Sequence, residues 1–248
     1  MIRSLLLLLL LAAPSAGAAR PLRFAVLTDT HVGRRGAARE LRAAVRSLAR
    51  DTLLDFVLLA GDVAHDGRAA GHRRARRILR RLPQPLHITT GNHDAKEPAR
   101  LASFRRWFGS GAFGFEAGGL RFEGISTGPD EPGRHATIDG GTAGRLAAAC
   151  RAGRPVVVVA HHTPDLVARA DEAFAGVDTT RIVLWIAGHI HRSGAAQTPR
   201  GTVLTCASTL DAGRYTLLTL DHGRLRVATV SPREDDRCET WYTTTLNL

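Results

Sequence analysis

The chain has 248 residues, 44% of them hydrophobic, with 34 Lys and Arg against 23 Asp and Glu and a formal charge of +11 at pH 7. That is long and apolar enough to bury a full core, and its charge favours anionic partners such as phosphate esters, nucleic acid or anionic lipid. The basic residues are Arg apart from Lys96, and they are spread along the chain with few aromatics among them. Specific nucleic-acid binding is therefore not expected.

The N-terminus has the three parts of a signal peptide. Arg3 supplies a positive start, Leu5 to Ala13 an apolar run, and Ala16-Gly17-Ala18 a small-residue cleavage site. Residues 1–18 are expected to be removed, giving a mature chain from about Ala19 that is exported to the periplasm or beyond. The apolar run is well short of the roughly 20 residues that span a bilayer, and no later segment is long enough, so no transmembrane anchor is expected. No Cys follows the run to carry a lipid. Cys150, Cys206 and Cys238 lack metal-thiolate spacing, and an oxidising compartment allows one disulfide whose pairing the sequence leaves open.

Residues 19–248 read as one α/β domain. The apolar run Phe24 to Leu27 predicts a first strand, and Ala38, Leu41, Val45 and Leu48 recur at helical spacing within a helix over Arg34 to Arg50. A strand over Phe56 to Ala60, an Arg-rich helix over Arg68 to Leu82 stopping before Pro83, and a strand over Leu86 to Thr90 follow. This alternation implies parallel strands joined by crossover helices. The pattern then changes. Phe113 to Thr127 alternates around Gly118-Gly119 as a hairpin opening a second sheet, and a helix near Thr142 to Ala152 precedes strands over Val156 to Ala160 and Ile182 to Ala187. The polar connection Pro164 to Thr180 is long enough to act as a lid. The remainder alternates again over Thr202 to Cys206, Tyr215 to Leu220 and Leu225 to Val230.

The apolar runs share one feature: each ends in residues able to bind a cation. Asp29-Thr30-His31, Gly61-Asp62, Gly91-Asn92-His93-Asp94, His161-His162 and Gly188-His189-Ile190-His191 all follow directly on a predicted strand. Carboxylate, amide oxygen and imidazole together suit hard or borderline divalent cations. Gly61, Gly91 and Gly188 stand immediately before ligand-type residues, where a side chain would crowd the turn. His189 and His191 alternate, so bringing both rings to one site requires irregular backbone.

This ordered set resembles the calcineurin-like metallophosphoesterase superfamily, and the resemblance covers Phe24 to about Thr205. It implies a four-layer αββα sandwich of two mixed sheets flanked by helices, with a dimetal site at the C-terminal strand ends. Carried over residue by residue, Asp29, His31 and His191 would hold one metal, Asn92, His161 and His189 a second, and Asp62 would bridge them. His93 would be the catalytic imidazole, with Asp94 orienting it from behind as an acceptor. The ligand types accept Mn, Fe, Zn or Co. His162 either faces the substrate or packs, and His65 is a second candidate for facing substrate. His65 stands near where the purple acid phosphatase branch has an iron-bound Tyr, which argues against a Tyr-ligated ferric site. His72, His87, His135 and His222 read as structural or exposed. Arg34, Arg35 and Arg192 flank the ligand loops.

The implied activity is hydrolysis of a small phosphate ester by metal-activated water. Within the superfamily, the compact size and the Gly-Asn-His-Asp motif look most like the bacterial cyclic-nucleotide and glycerophosphodiester phosphodiesterases. Phosphomonoesterase activity is the alternative of the same class, and a non-catalytic metal- or phosphate-binding protein the alternative of another. His93 favours an enzyme, since a binding protein needs only the ligands.

Overall fold

The computed structural model describes residues 20–95, 101–128, 136–138, 140–167, 172 and 174–248. The expected leader, Lys96 and His135 lie outside the described residues.

The chain begins with β1 (Leu22–Leu27), α1 (Ala37–Arg50), β2 (Phe56–Ala60), α2 (Ala69–Leu79) and β3 (Leu86–Thr89), and α3 (Ala102–Phe108) comes next. A hairpin of β4 (Phe113–Ala117) and β5 (Leu120–Gly124) leads to α4 (Gly140–Arg151), β6 (Val156–Val159) and β7 (Ile182–Ala187). The strands β8 (Gly194–Thr198), β9 (Gly201–Thr205), β10 (Tyr215–Asp221), β11 (Arg224–Ser231) and β12 (Arg237–Thr245) complete the order. They form two mixed six-stranded sheets, β12-β11-β10-β1-β2-β3 and β4-β5-β6-β7-β9-β8. The β1–β2–β3 and β5–β6–β7–β9 neighbours are parallel, and the outer pairs are antiparallel.

Strand side chains alternate between faces, and here that alternation builds the layers. Ala25, Leu27, Val57 and Leu59 pack beneath α1 and α2 with Leu41, Leu48, Ala75 and Ile78. Their sequence neighbours Phe24, Val26, Phe56 and Leu58 point the other way, onto Val157, Val159, Leu184 and Ile186 of the second sheet. In that sheet Val156, Val158 and Trp185 face outward onto Leu146, Ala149 and Cys150 of α4. The result is the αββα sandwich. Runs apolar at every position, as in β2 and β6, are what strands covered on both faces require.

The differences from expectation lie at element ends and edges. The first helix starts at Ala37 rather than Arg34, because Gly36 at φ 85° cannot enter a helix. The second stops at Leu79, and Arg80 to Leu82 continue only as turns. The helix α3 and the edge strands β8 and β12 were not anticipated. Cys150 and Cys206 are buried and Cys238 is exposed, all three as free thiols, so the disulfide left open by the sequence is not formed. Within the long 164–180 connection, Val167 and Phe174 are buried, Phe174 lying edge-on to Trp185. Residues 168–171 and 173 fall outside the described set, and with them the middle of the expected lid. Among the described residues no helix is long and apolar enough to cross a membrane.

Candidate metal centre

Because β1, β2 and β3 run parallel in one sheet and β6 and β7 in the other, their C-terminal ends share an edge of the sandwich. The loops leaving them are bonded to one another: Asp29 N–H donates to Gly61 O (3.2 Å), His31 N–H to Asp62 O (2.9 Å) and Gly188 N–H to His161 O (3.0 Å). Asp29 is backed from behind, where Ser208 Oγ donates to its carbonyl (3.1 Å).

The backbone at this edge is strained. Asp29, His31, Asp62, His189 and His191 have φ of 51°, 43°, 53°, 69° and 57°, half of the ten described non-glycine residues in the left-handed region. Such conformations are uncommon for residues with a Cβ and persist where surrounding structure dictates them. The irregular geometry expected at His189 to His191 is present. A Cβ on Gly91 would strike the Asp62 carboxylate, and one on Gly188 would strike the Thr28 hydroxyl and the Asp29 carboxylate, so both positions need glycine for close approach.

Asp29 and Asp62 each spend one carboxylate oxygen on the scaffold and turn the other inward. Asp29 Oδ2 accepts from Thr28 Oγ1 (2.7 Å) and His189 N (3.0 Å). Its Oδ1 has no hydrogen-bond partner among the described residues and stands 3.2 Å from His191 Nε2, 3.8 Å from His31 Nε2 and 3.9 Å from His161 Nε2. Asp62 Oδ1 accepts from His93 N (2.9 Å), while Oδ2 stands 3.3 Å from His161 Nε2 and 3.7 Å from His31 Nε2. Asn92 Oδ1 is likewise buried with no hydrogen-bond partner among the described residues.

His161 shows how a ring is aimed. Its Nδ1–H donates to Ala60 O (2.9 Å), leaving Nε2 as the free face toward the carboxylates. Burial works against a charge on this ring, but Asp62 and Asp29 outweigh it and hold its pKa up at about 10. The same interaction lowers Asp62 against the opposing effect of burial. His31 is driven the other way, to about 4, mainly by burial. His191 is raised by the Asp29 carboxylate facing its Nε2 at 3.2 Å. Two carboxylates in a dry cluster demand positive charge, and with protein atoms alone the demand falls on His161.

The spacing of the inward atoms fits a shared cation better than a proton network. His31 Nε2 and His191 Nε2 are 3.3 Å apart, and each faces the same Asp29 oxygen. Two donors bound tetrahedrally to one ion at about 2.05 Å lie about 3.3 Å from one another. The groups Asp29–His31–His191, Asp29–Asp62–His161 and His161–His162–His189 each bring their ligand atoms within 4.8 Å. The set can thus hold divalent metal.

One sequence expectation needs correction. Asp94 does not orient the His93 ring. Its Oδ1 accepts from Ala64 N and His72 Nε2 (both 2.9 Å), and its Oδ2 from Gly91 N (3.1 Å) and Val63 N (3.2 Å). It is wholly buried and ties the Asp62 loop to the Asn92 loop. The group that orients His93 is a backbone carbonyl: Nδ1–H donates to His65 O at 2.6 Å, so Nε2 is the nitrogen facing the centre, 4.0 Å from Asp62 Oδ2. Of the two alternatives left open for His162, packing is the one observed. It is fully buried, with Nδ1 2.9 Å from Thr127 Oγ1 and its carbonyl accepting from Trp185 Nε1 (3.0 Å).

His65 is half-buried and stacks on His93 at 5.1 Å, beside the opening. His72, fully buried, reaches Ser103 Oγ at 2.8 Å as well as Asp94. His87 stacks on Phe115 at 4.0 Å, and His222, Arg34, Arg35 and Arg192 are exposed. The sequence showed His72 only as a histidine among the arginines of a helix, and nothing local linked it to Asp94.

The profile of the calcineurin-like phosphoesterase family matches residues 22–193. The chain belongs to that family. A Rhodopseudomonas palustris protein described as a probable cyclic nucleotide phosphodiesterase is 36% identical over 84 residues, a match spanning 31% of this chain and 31% of that relative. Among solved structures, GAP50, the anchor in the inner membrane complex of Plasmodium, superposes with a TM-score of 0.65 at 13% identity, over 92% of this chain and 89% of that one. The purple acid phosphatase PPD1 from yellow lupin gives a TM-score of 0.65 at 12% identity, over 94% of this chain and 55% of its own. At those identities the likeness is one of fold.

Proposed function

We propose that this phosphoesterase-family chain is an exported phosphodiesterase that uses two divalent metal ions to hydrolyse small phosphate esters. Asp29, His31 and His191 would hold one ion, Asn92, His161 and His189 the other, and Asp62 would lie between. The chemistry such ions supply when bound is Lewis-acid stabilisation of the phosphoryl oxygens and a lowered pKa for the attacking water.

The observation that carries the reading is His93. A ligand set alone would serve a binding protein, but here an imidazole outside that set is fixed through Nδ1 to His65 O and points Nε2 at the Asp62 carboxylate. From that position Nε2 can hold a proton and pass it to the departing alkoxide, a role worth about 10²–10⁴-fold in rate. Asp94, through Gly91, Val63 and Ala64, sets the loops that carry His93 and Asp62. Diester preference is supported by the weak relative in Rhodopseudomonas palustris, and export by the leader-like residues 1–18, upstream of one domain over 19–248.

The test compares bis(p-nitrophenyl) phosphate with p-nitrophenyl phosphate on metal-stripped protein resupplied with Mn²⁺, with His93→Ala and Asp62→Asn as controls. Metal-dependent turnover favouring the diester, lost in both variants, supports the reading. Preference for the monoester moves the chain to phosphomonoesterases. Two tightly bound metals with no turnover of either substrate, natural esters included, leaves a binding protein.

A further inference from the structure

A cavity of about 620 Å³ opens beside the metal centre and shares two of its loops. One wall is the turn Thr163 to Leu166, directly after His161 and His162; another is Ile190, between His189 and His191; the floor is the outer face of the second sheet, with Ala196 and Val203. Ala196 and Val203 are cross-strand partners, so their side chains share a face. Ile190 is 46% exposed, and the other large exposed hydrophobics among the described residues, Leu53 and Leu248, lie in a turn and at the chain end. An isoleucine open to solvent between two candidate ligands is a costly choice for a loop needing only two imidazoles.

We propose that this cavity is the subsite for the second ester group of the substrate, and that the group is an uncharged ring rather than glycerol, choline or a methyl ester. This deepens the phosphoester reading above and rests on it. The lining decides the class. Leu166, Ile190, Ala196, Pro199 and Val203 offer apolar surface, while of the two charged residues in the lining Asp165 is exposed and Arg200 holds its guanidinium over the Phe174 ring, 5.3 Å from the centroid. The volume is in the middle of the range of small-molecule sites, and an apolar cavity of about 150 Å³ already accepts benzene. A methyl or glycerol arm would leave most of the space to water. A ring attached to the phosphate would enter it past Ile190 and Thr163, the lining residues that stand next to the candidate ligands in the chain.

The experiment is calorimetric titration of Mn²⁺-loaded full-length protein with diphenyl phosphate and with dimethyl phosphate, alongside the same titrations on Ala196→Trp. Ala196 is exposed on an edge strand, so the larger ring enters the cavity without entering the core. The expected result is at least about ten-fold tighter binding of the diphenyl ester by the unaltered chain, in the range a hydrophobic pocket can supply. That ratio should fall to within about two-fold of unity in Ala196→Trp, with the melting temperature unchanged. Equal affinities in the unaltered chain, or a ratio indifferent to Ala196→Trp, would overturn the proposal. Hydrolysis of bis(p-nitrophenyl) and methyl p-nitrophenyl phosphate, which share a leaving group, separates the two levels. A binding ratio without turnover keeps the subsite and sinks the phosphodiesterase. Turnover of both esters with no binding ratio keeps the phosphodiesterase and sinks the subsite.

Discussion

Replacing Asp94 with Asn changes one atom and removes the clamp between the Asp62 and Asn92 loops. The carboxylate accepts three backbone N–H groups and the His72 ring. The Asn amide nitrogen must replace one oxygen. Facing Val63 and Gly91, it would leave two buried N–H groups without an acceptor. Facing Ala64 and His72, it strands only Ala64, because His72 can shift its proton to Nδ1, donate to Ser103 Oγ and accept at Nε2. The second orientation is the cheaper. One stranded buried donor costs about 1–3 kcal/mol, and weakening of the surviving charge-assisted bonds adds about 1. The sum, about 2–4 kcal/mol, corresponds to a fall in melting temperature of roughly 5–15 °C for a chain of this size. Since the clamped loops carry Asp62, Asn92 and His93, metal affinity should also fall about 10–100-fold, the usual effect of losing a group that supports ligands. Scanning calorimetry and Mn²⁺ titration measure both. A variant melting within about 2 °C of the parent with unaltered metal affinity would refute the clamp.

Two further outcomes follow from the ionisation of buried groups. His161 has a raised pKa of about 10, so its proton-linked stability in metal-stripped protein is fully present below about pH 6.5 and is lost as pH rises through 10. Metal requires that ring neutral, so loading at pH 8 should release about one proton, read from the dependence of binding heat on buffer ionisation enthalpy; heats independent of buffer would contradict the assignment of His161 as a ligand. Burial pushes the thiols of Cys150 and Cys206 up to about 11 and about 12, so at pH 8 the native protein should take one alkylating label, on exposed Cys238, and three once unfolded. A second native label, or a disulfide, would count against the structure.

What the sequence reveals is whatever leaves a periodic or punctual mark. Short β-branched runs such as Val156 to Val159 read as strands buried on both sides, and a ligand-type residue directly after each run can be read without knowing how strands pair. The edges left no such mark. Strand β8, Gly194–Thr198, has little to bury, and β12, Arg237–Thr245, exposes most of its side chains; both are strands because a neighbour's backbone is available for pairing. The supports of the centre were hidden for a different reason. Asp94 meets His72 across 22 positions, and Ser208 meets Asp29 across 179, contacts fixed by packing of elements rather than by spacing. Adjacency in sequence suggested that Asp94 serves His93, but the short helical turn at His93–Ala95 sends the two side chains apart.

The strain at this edge explains why the centre sits where it does. Five left-handed Asp and His residues at about 1 kcal/mol each amount to about 5 kcal/mol, comparable with the whole net stability of many domains. The inward Asp29 Oδ1, without a hydrogen-bond partner among the described residues, adds to that cost. A loop on an exposed helix surface would relax out of such a conformation. Here each strained residue follows within four positions of a strand whose side chains are almost all buried, and the loops are bonded to one another through Asp29 N, His31 N and Gly188 N. The double-sided core of the sandwich therefore over-determines the backbone at the strand ends, and it can hold two buried carboxylates facing the same imidazoles. A cation is the species that turns this arrangement from a liability into a stabilised one, so stability and metal occupancy should rise and fall together in this chain.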